Sequence, residues 1–226
     1  MKRVLILAAH PDDEVLGCGG LIARLRPQGV EFRVLFLGEG SSCRFASAAA
    51  VGVAAAVAER QACAERAMAF LQVQQHEFHN FPCGRFDQVS IVELNKLIEA
   101  NMANFVPDTV LTHSQHDANN DHRLVFDATL MATRPGARNP VARVLSYEVL
   151  SSSEWSFDTP FAPNHFVALS EQEVARKWQA LALYETEVRS YPFPRSAEGV
   201  RTQAMMRGMQ AGQAYAEAFH LVREIV

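Results

Sequence analysis

His10-Pro11-Asp12-Asp13-Glu14 packs one imidazole and three carboxylates into five consecutive residues. The run follows Val4-Leu5-Ile6-Leu7-Ala8-Ala9, a short apolar stretch that reads as a buried first strand, so the polar residues stand at a strand's carboxyl end. Two readings fit the cluster. Asp12 or Asp13 could cap the free amides of a following helix, with the acids complementing its dipole, but capping leaves His10 without a role. A divalent metal accounts for the imidazole and one carboxylate together, and a second carboxylate beside them can act on metal-bound water.

A second polar run, His113-Ser114-Gln115-His116-Asp117-Ala118-Asn119-Asn120-Asp121-His122, adds three histidines and two acids. A lone surface histidine usually carries no function. Three of them after an apolar segment, opposite a His/Asp cluster, suit a catalytic zinc site, which takes three protein ligands and keeps a position open for water. His76, His79, His165 and His220 lie outside both runs and are read as packing or solvent contacts.

The elements that must position these runs follow from the alternation of short apolar stretches with longer helical patterns, which predicts an α/β fold with a mostly parallel sheet. Strands are expected near Val4 to Ala9, Phe32 to Leu37, Gln74 to Phe78, Thr109 to Thr112, Ala142 to Glu148 and His165 to Ala168. Helices are expected near Glu14 to Leu25, Ala54 to Leu71, Val89 to Asn104, His122 to Thr133, Glu171 to Tyr184 and Ala197 to Phe219. Gly29, Pro107, Pro135-Gly136 and Asn139-Pro140 punctuate turns. In the doubly wound order 3-2-1-4-5, strands one and four are neighbours whose helices leave on opposite faces, opening a crevice at their carboxyl ends. Both polar runs fall there.

With 226 residues, 49% of them hydrophobic and 20% charged, the chain is expected to form one domain over residues 1–226. Its 21 basic and 25 acidic residues leave a net charge of -4, which gives no electrostatic case for nucleic acid. The amino-terminal apolar run meets acidic residues at once, unlike a cleavable signal. The alanine-rich Phe45 to Ala58 tract is shorter than the roughly 20 residues of an integral membrane segment. Cys18, Cys43, Cys63 and Cys83 are widely spaced without a C-x-x-C pair, fitting reduced thiols in a cytoplasmic enzyme. Gly17-Cys18-Gly19-Gly20 hints at dinucleotide binding, but acidic residues occupy the turn where pyrophosphate would lie, so the glycines are read as permitting close helix packing.

Ala9-His10-Pro11-Asp12-Asp13-Glu14 resembles the A-H-P-D-D-E motif of the PIG-L or LmbE-like deacetylases, and Asp121-His122 is similar to that family's downstream D-H element. Gly38-Glu39-Gly40, Phe81-Pro82, Glu148 to Ser152, Pro192 to Ser196 and Arg207-Gly208 are similar to weaker family patterns. The resemblance implies a Rossmann-like three-layer fold and a zinc-dependent removal of acetyl groups from N-acetylglucosamine-type conjugates. It implies that His10, Asp13 and His122 bind the metal, Zn2+ or another divalent ion such as Fe2+, and that Asp12 is the general base. Asp121 would orient a neighbouring histidine, and Glu14 is left as a structural residue near the helix start. Arg60 matches an arginine that contacts substrate in related deacetylases; Arg44, after strand two, is a second candidate for sugar or phosphate oxygens. For both, a solvated surface charge is the competing reading.

Where some sugar deacetylases read H-P-D-H, this chain has Asn119-Asn120-Asp121-His122, so a histidine that assists the oxyanion is missing. His116 is expected to be the accessory donor, with Asn119 holding the substrate carbonyl or sugar. The apolar Phe45 to Ala58 segment would form either an apolar pocket rim or a homo-oligomer contact. The expected partner is a small amino-sugar conjugate. The alternative is a metal-dependent sugar-binding protein without catalysis, against which stands the carboxylate of Asp12 beside the ligands.

Overall fold

In the computed structural model, which describes residues 1–47, 49–136 and 140–226, seven strands form one sheet. They are Arg3–Ala8 (β1), Glu31–Gly38 (β2), Gln75–Phe81 (β3), Thr109–His113 (β4), Arg143–Tyr147 (β5), His165–Leu169 (β6) and Tyr215–Glu224 (β7). The order is β3-β2-β1-β4-β5-β7-β6, which contains the expected 3-2-1-4-5 core. The first five strands pair in parallel, whereas β7 runs antiparallel to both β5 and β6. Asn139 of the expected Asn139-Pro140 turn lies outside the described residues.

The helices are Asp13–Leu25 (α1), Val53–Phe70 (α2), Ile91–Phe105 (α3), Asn120–Ala132 (α4), Glu171–Leu181 (α5) and Ala197–Ala211 (α6). Because side chains alternate across a strand, β1 feeds two cores: Val4, Ile6 and Ala8 pack with α1, α2, α5 and α6, while Leu5 and Leu7 pack with α3 and α4. The result is a Rossmann-like three-layer sandwich. α1 and α4 leave β1 and β4 on opposite faces, so the carboxyl ends of these neighbours are not roofed by either helix.

The glycine cluster of α1 serves packing. A Cβ on Gly17 would stand 2.1 Å from the Tyr147 ring, and one on Gly20 would stand 2.5 Å from Leu169, so α1 approaches β5 and β6 closer than any side chain allows. Behind it, the Glu217 carboxylate of β7 accepts hydrogen bonds from the amides of Gly20 (3.0 Å) and Leu21 (2.7 Å) and from Lys177 Nζ of α5 (2.7 Å).

The expected final helix, Ala197 to Phe219, is corrected. It stops at Ala211, where Gly212 adopts φ 65°, and the chain returns as β7. Alanine and glutamate in Tyr215-Ala216-Glu217-Ala218 suggest a helix locally, but the gap between β5 and β6 supplies ladder partners on both sides and decides the outcome. Among the described residues, no helix is long and apolar enough to cross a membrane.

Candidate active site

β1 ends at Ala8, the loop to α1 carries His10 and Asp12, and Asp13 opens the helix. Asp12 has φ 115°, a left-handed conformation rare for a non-glycine residue, and makes no capping bond to the helix it precedes. The capping reading therefore fails for Asp12, whose buried carboxylate faces a cavity of about 330 Å³ that His10, Asp13 and His122 also line. Behind this loop, Glu14 accepts the Asp12 amide (2.9 Å) and the Tyr184 hydroxyl (2.5 Å), and burial pushes its carboxyl up to about 8. This matches its expected structural role.

His10, Asp13 and His122 each offer one donor atom within 4.8 Å of the others, so the three could hold a metal ion. Asp13 Oδ2 lies 3.7 Å from His10 Nδ1 and 3.4 Å from His122 Nε2, and it accepts the His10 amide at 2.7 Å. Both imidazoles are fixed from behind by carboxylates. Asp121 Oδ2 sits 2.9 Å from His10 Nε2 and is itself held by the amides of Gly84 (2.6 Å) and Phe86 (3.1 Å). Asp117 Oδ1 faces His122 Nδ1 at 3.2 Å and accepts the hydroxyls of Ser152 and Ser153. Such carboxylate–histidine pairs fix the ring and raise its basicity as a ligand.

The electrostatics follow from this nesting. Burial alone would raise Asp13, but His122, His113 and His10 hold it well below the ordinary carboxylate range. Burial would lower His122, yet Asp13 and Asp117 outweigh it and raise the imidazole to about 10. Asp117 is held down at about 2 by His122 and the two serines against its burial. His113 stays neutral, because burial and the charge on His122 push it down; its Nε2 accepts the Ala9 amide at 2.9 Å and ties the ends of β4 and β1 together.

One wall of the cavity is built from ion pairs. Arg60, only 4% exposed, donates to the Pro11 carbonyl (2.7 Å) and pairs with Asp12 (3.2 Å) and Glu187, so it is not a solvated surface charge. Arg195 pairs with Asp12 Oδ2 (2.6 Å) and Glu187 (3.0 Å) and donates to Ser151 Oγ (2.5 Å). The more exposed Arg44 reaches Glu187 at 2.6 Å. Glu187 thus gathers three guanidinium groups, and the two on Asp12 are in place before anything enters the cavity.

The structure brings His10, Asp12, Asp13, His122, Arg44, Arg60 and Asn119 to one cavity. Asn119 caps α4 by accepting the Asp121 amide at 2.9 Å, which leaves its NH2 group free for the cavity. Two of the candidate residues lie outside this cavity. His116 does not line this cavity; it is exposed, faces Gln115 at 2.7 Å and borders a separate hollow with His220. Its neighbour Asp117, by contrast, is buried and anchored by the hydroxyls of Ser152 and Ser153. Asp121 does not line the cavity either; its carboxylate pairs with His10 from behind. Sequence reasoning missed Asp117, Glu187 and Arg195. Asp117 was legible only as an acid within the second run, Arg195 only as part of the Pro192 to Ser196 pattern with no role attached, and Glu187 carried no signal.

Residues 5–133 match the profile described as PIG-L, GlcNAc-PI de-N-acetylase, which covers more than half of the chain, and the protein belongs to this family. A protein of Escherichia coli K12 called uncharacterized deacetylase YaiS is 27% identical over 193 residues, 82% of this chain and 91% of that protein. The fold is shared with the N,N'-diacetylchitobiose deacetylase of Pyrococcus horikoshii (TM-score 0.77, 20% identity, 98% of this chain and 84% of that one). It is shared equally with GalB, the 4-carboxy-2-hydroxymuconate hydratase of Pseudomonas putida KT2440 (TM-score 0.76, 23% identity, 100% and 98%).

Proposed function

We propose that the protein is a metal-dependent hydrolase that removes an acetyl group from an N-acetylated amino-sugar conjugate of N-acetylglucosamine type. The observation that carries this reading is Asp12: a buried carboxylate beside the candidate donors but outside the donor set, held toward the cavity by a strained backbone. Family membership and the names of the relatives support the same class.

Two imidazole nitrogens and one carboxylate oxygen, buried together with no lysine or arginine among them, fit zinc, and the same set also suits Fe2+. His10, Asp13 and His122 would hold the ion, which supplies a Lewis acid for the amide carbonyl and lowers the pKa of water. Asp12 accepts the proton of the attacking water as its oxygen adds to the carbonyl carbon, then returns that proton to the departing amine as the C–N bond breaks. Acetate and the free amine leave. Arg60 and Arg195 pair with the Asp12 carboxylate and fix where it points. When Asp12 takes the proton, Arg60 and Arg195 keep Glu187 but lose one of their two carboxylate partners just as negative charge develops on the substrate, and Arg195, on the cavity wall, is the donor we assign to the place of the missing histidine. Asn119 donates its NH2 to the carbonyl or a sugar hydroxyl.

The test is acetate release from a panel of N-acetylhexosamine conjugates by the zinc-loaded protein, with the metal-free protein as control. Release that depends on metal supports the reading; no release from any conjugate sinks it. The three arginines on one wall favour a second reading, addition of water to an unsaturated polycarboxylate, as in GalB's name. Loss of conjugated absorbance with no acetate formed would select it.

A further inference from the structure

Cys43 lies in the short turn Ser42–Arg44 after β2, and Cys83 lies in the loop after β3. Their Sγ atoms are 2.9 Å apart, and both side chains line the mouth of the cavity. We propose that Cys43 and Cys83 form an oxidisable dithiol site that reacts with hydroperoxides and, once joined, alters how the cavity holds its metal.

Sequence separation makes this pairing unexpected, but the sheet makes it inevitable. β2 and β3 are hydrogen-bonded neighbours, so the loops at their carboxyl ends emerge side by side. Glu39 then clamps the two loops, accepting the amides of Ser41 (2.6 Å) and Ser42 (2.9 Å) from one and of Cys83 (2.8 Å) from the other. The backbones are close enough that a methyl on Gly84 would stand 3.4 Å from Cys43 Cβ. A disulfide has specific geometric needs, and sulfurs already in contact require only a small closure to meet them.

The two thiols also differ as an oxidant-sensing pair requires. Cys43 is exposed and meets the oxidant, whereas Cys83 is buried beside it. The Cys43 sulfur attacks the peroxide O–O bond and becomes a sulfenic acid as an alcohol or water leaves. Cys83 sulfur then displaces the sulfenic oxygen as water and forms the S–S bond. Two thiols are oxidised by two electrons, and one hydroperoxide is reduced. Cys18 and Cys63 are both fully buried, away from the Cys43–Cys83 pair, so both are internal controls.

The link would be felt at the metal donors through a short path. Cys83 is followed by Gly84, whose amide holds Asp121, and Asp121 holds His10. Drawing Cys83 toward Cys43 shifts this support, and disturbing such a support typically costs about tenfold or more in metal affinity.

The experiment treats the full chain with graded hydrogen peroxide, alkylates remaining thiols and maps the peptides. The expected first product is a Cys43–Cys83 disulfide with an intact mass lower by two hydrogen atoms, reversed by dithiothreitol, while Cys18 and Cys63 are alkylated. In Cys83→Ser the sulfenic acid should persist at Cys43 and be trapped by dimedone. Calorimetric zinc titration of the oxidised protein should show affinity about tenfold weaker than that of the reduced protein. Separate alkylation of Cys43 and Cys83 at peroxide levels that already oxidise methionine would overturn the site. A disulfide that leaves zinc affinity unchanged would overturn its coupling to the cavity. Neither readout depends on which substrate the enzyme takes.

Discussion

Asp12 holds φ 115° with no capping bond, in contact with two arginines, and the loop keeps this costly backbone because Glu14 binds its amide from behind. Asp12→Asn preserves the shape and removes the proton acceptor. It should retain full metal content by elemental analysis while turnover falls by roughly 10²- to 10⁴-fold, and near-normal turnover at full occupancy would reject it as the base. His122→Ala removes a donor from the other side of the crevice. Calorimetry should find a large loss of zinc affinity, and undiminished binding would dismiss the proposed donor set. These residues were readable from sequence because their types are chemically specific and each run abuts a buried strand. Glu187 was not, and Arg195 stood only within a weaker family pattern with no role attached, since arginine and glutamate in a loop look the same whether they face solvent or each other.

At the level of elements, Glu39 is the clearest case of one side chain fixing two loops. Burial would raise its carboxyl, but the Ser42 hydroxyl and the amides of Cys83, Ser41 and Ser42 hold it below the ordinary range. A folded-state pKa that is depressed means stability that is present above the unfolded value, near 4.3, and lost as pH falls through the folded one. Glu39→Gln should therefore unfold at lower urea, by about 1–3 kcal/mol at neutral pH, with the gap to the parent closing in acid. A gap that does not change with pH would mean that charge plays no part in the clamp. The strand order through β5 could be inferred because each parallel strand is a short apolar run between helices, and the rule that ligands sit at carboxyl ends then located the crevice. β7 could not. Its alternation is diluted by alanine and glutamate, and what makes it a strand is the pair of partners waiting in β5 and β6, which no local window contains.

Across the whole molecule, β7 matters beyond completing the sheet, because Glu217 joins α1, α5 and the carboxyl-terminal strand in one buried contact. Glu217→Ala leaves the Lys177 ammonium buried with only the Leu16 carbonyl (2.7 Å), and equilibrium unfolding should show a loss of about 3–5 kcal/mol. Replacing both partners, Lys177→Met with Glu217→Leu, should recover most of it; no recovery would show that the amides of α1, not the ion pair, set the cost. A different consequence attaches to where the cavity's parts lie along the chain. The proposed donors and Asp12 fall between residues 10 and 122, inside the stretch shared with the family, whereas Glu187 and Arg195 come from the connection between α5 and α6, beyond it. The metal donors and part of the wall that faces Asp12 thus come from separate stretches of the chain. Grafting residues 182–196 from a relative that keeps the arginine and glutamate at positions 195 and 187 should leave zinc affinity nearly intact and reorder the preferred substrates, whereas a graft that drops Arg195 should also lower turnover, because that side chain rests on Asp12.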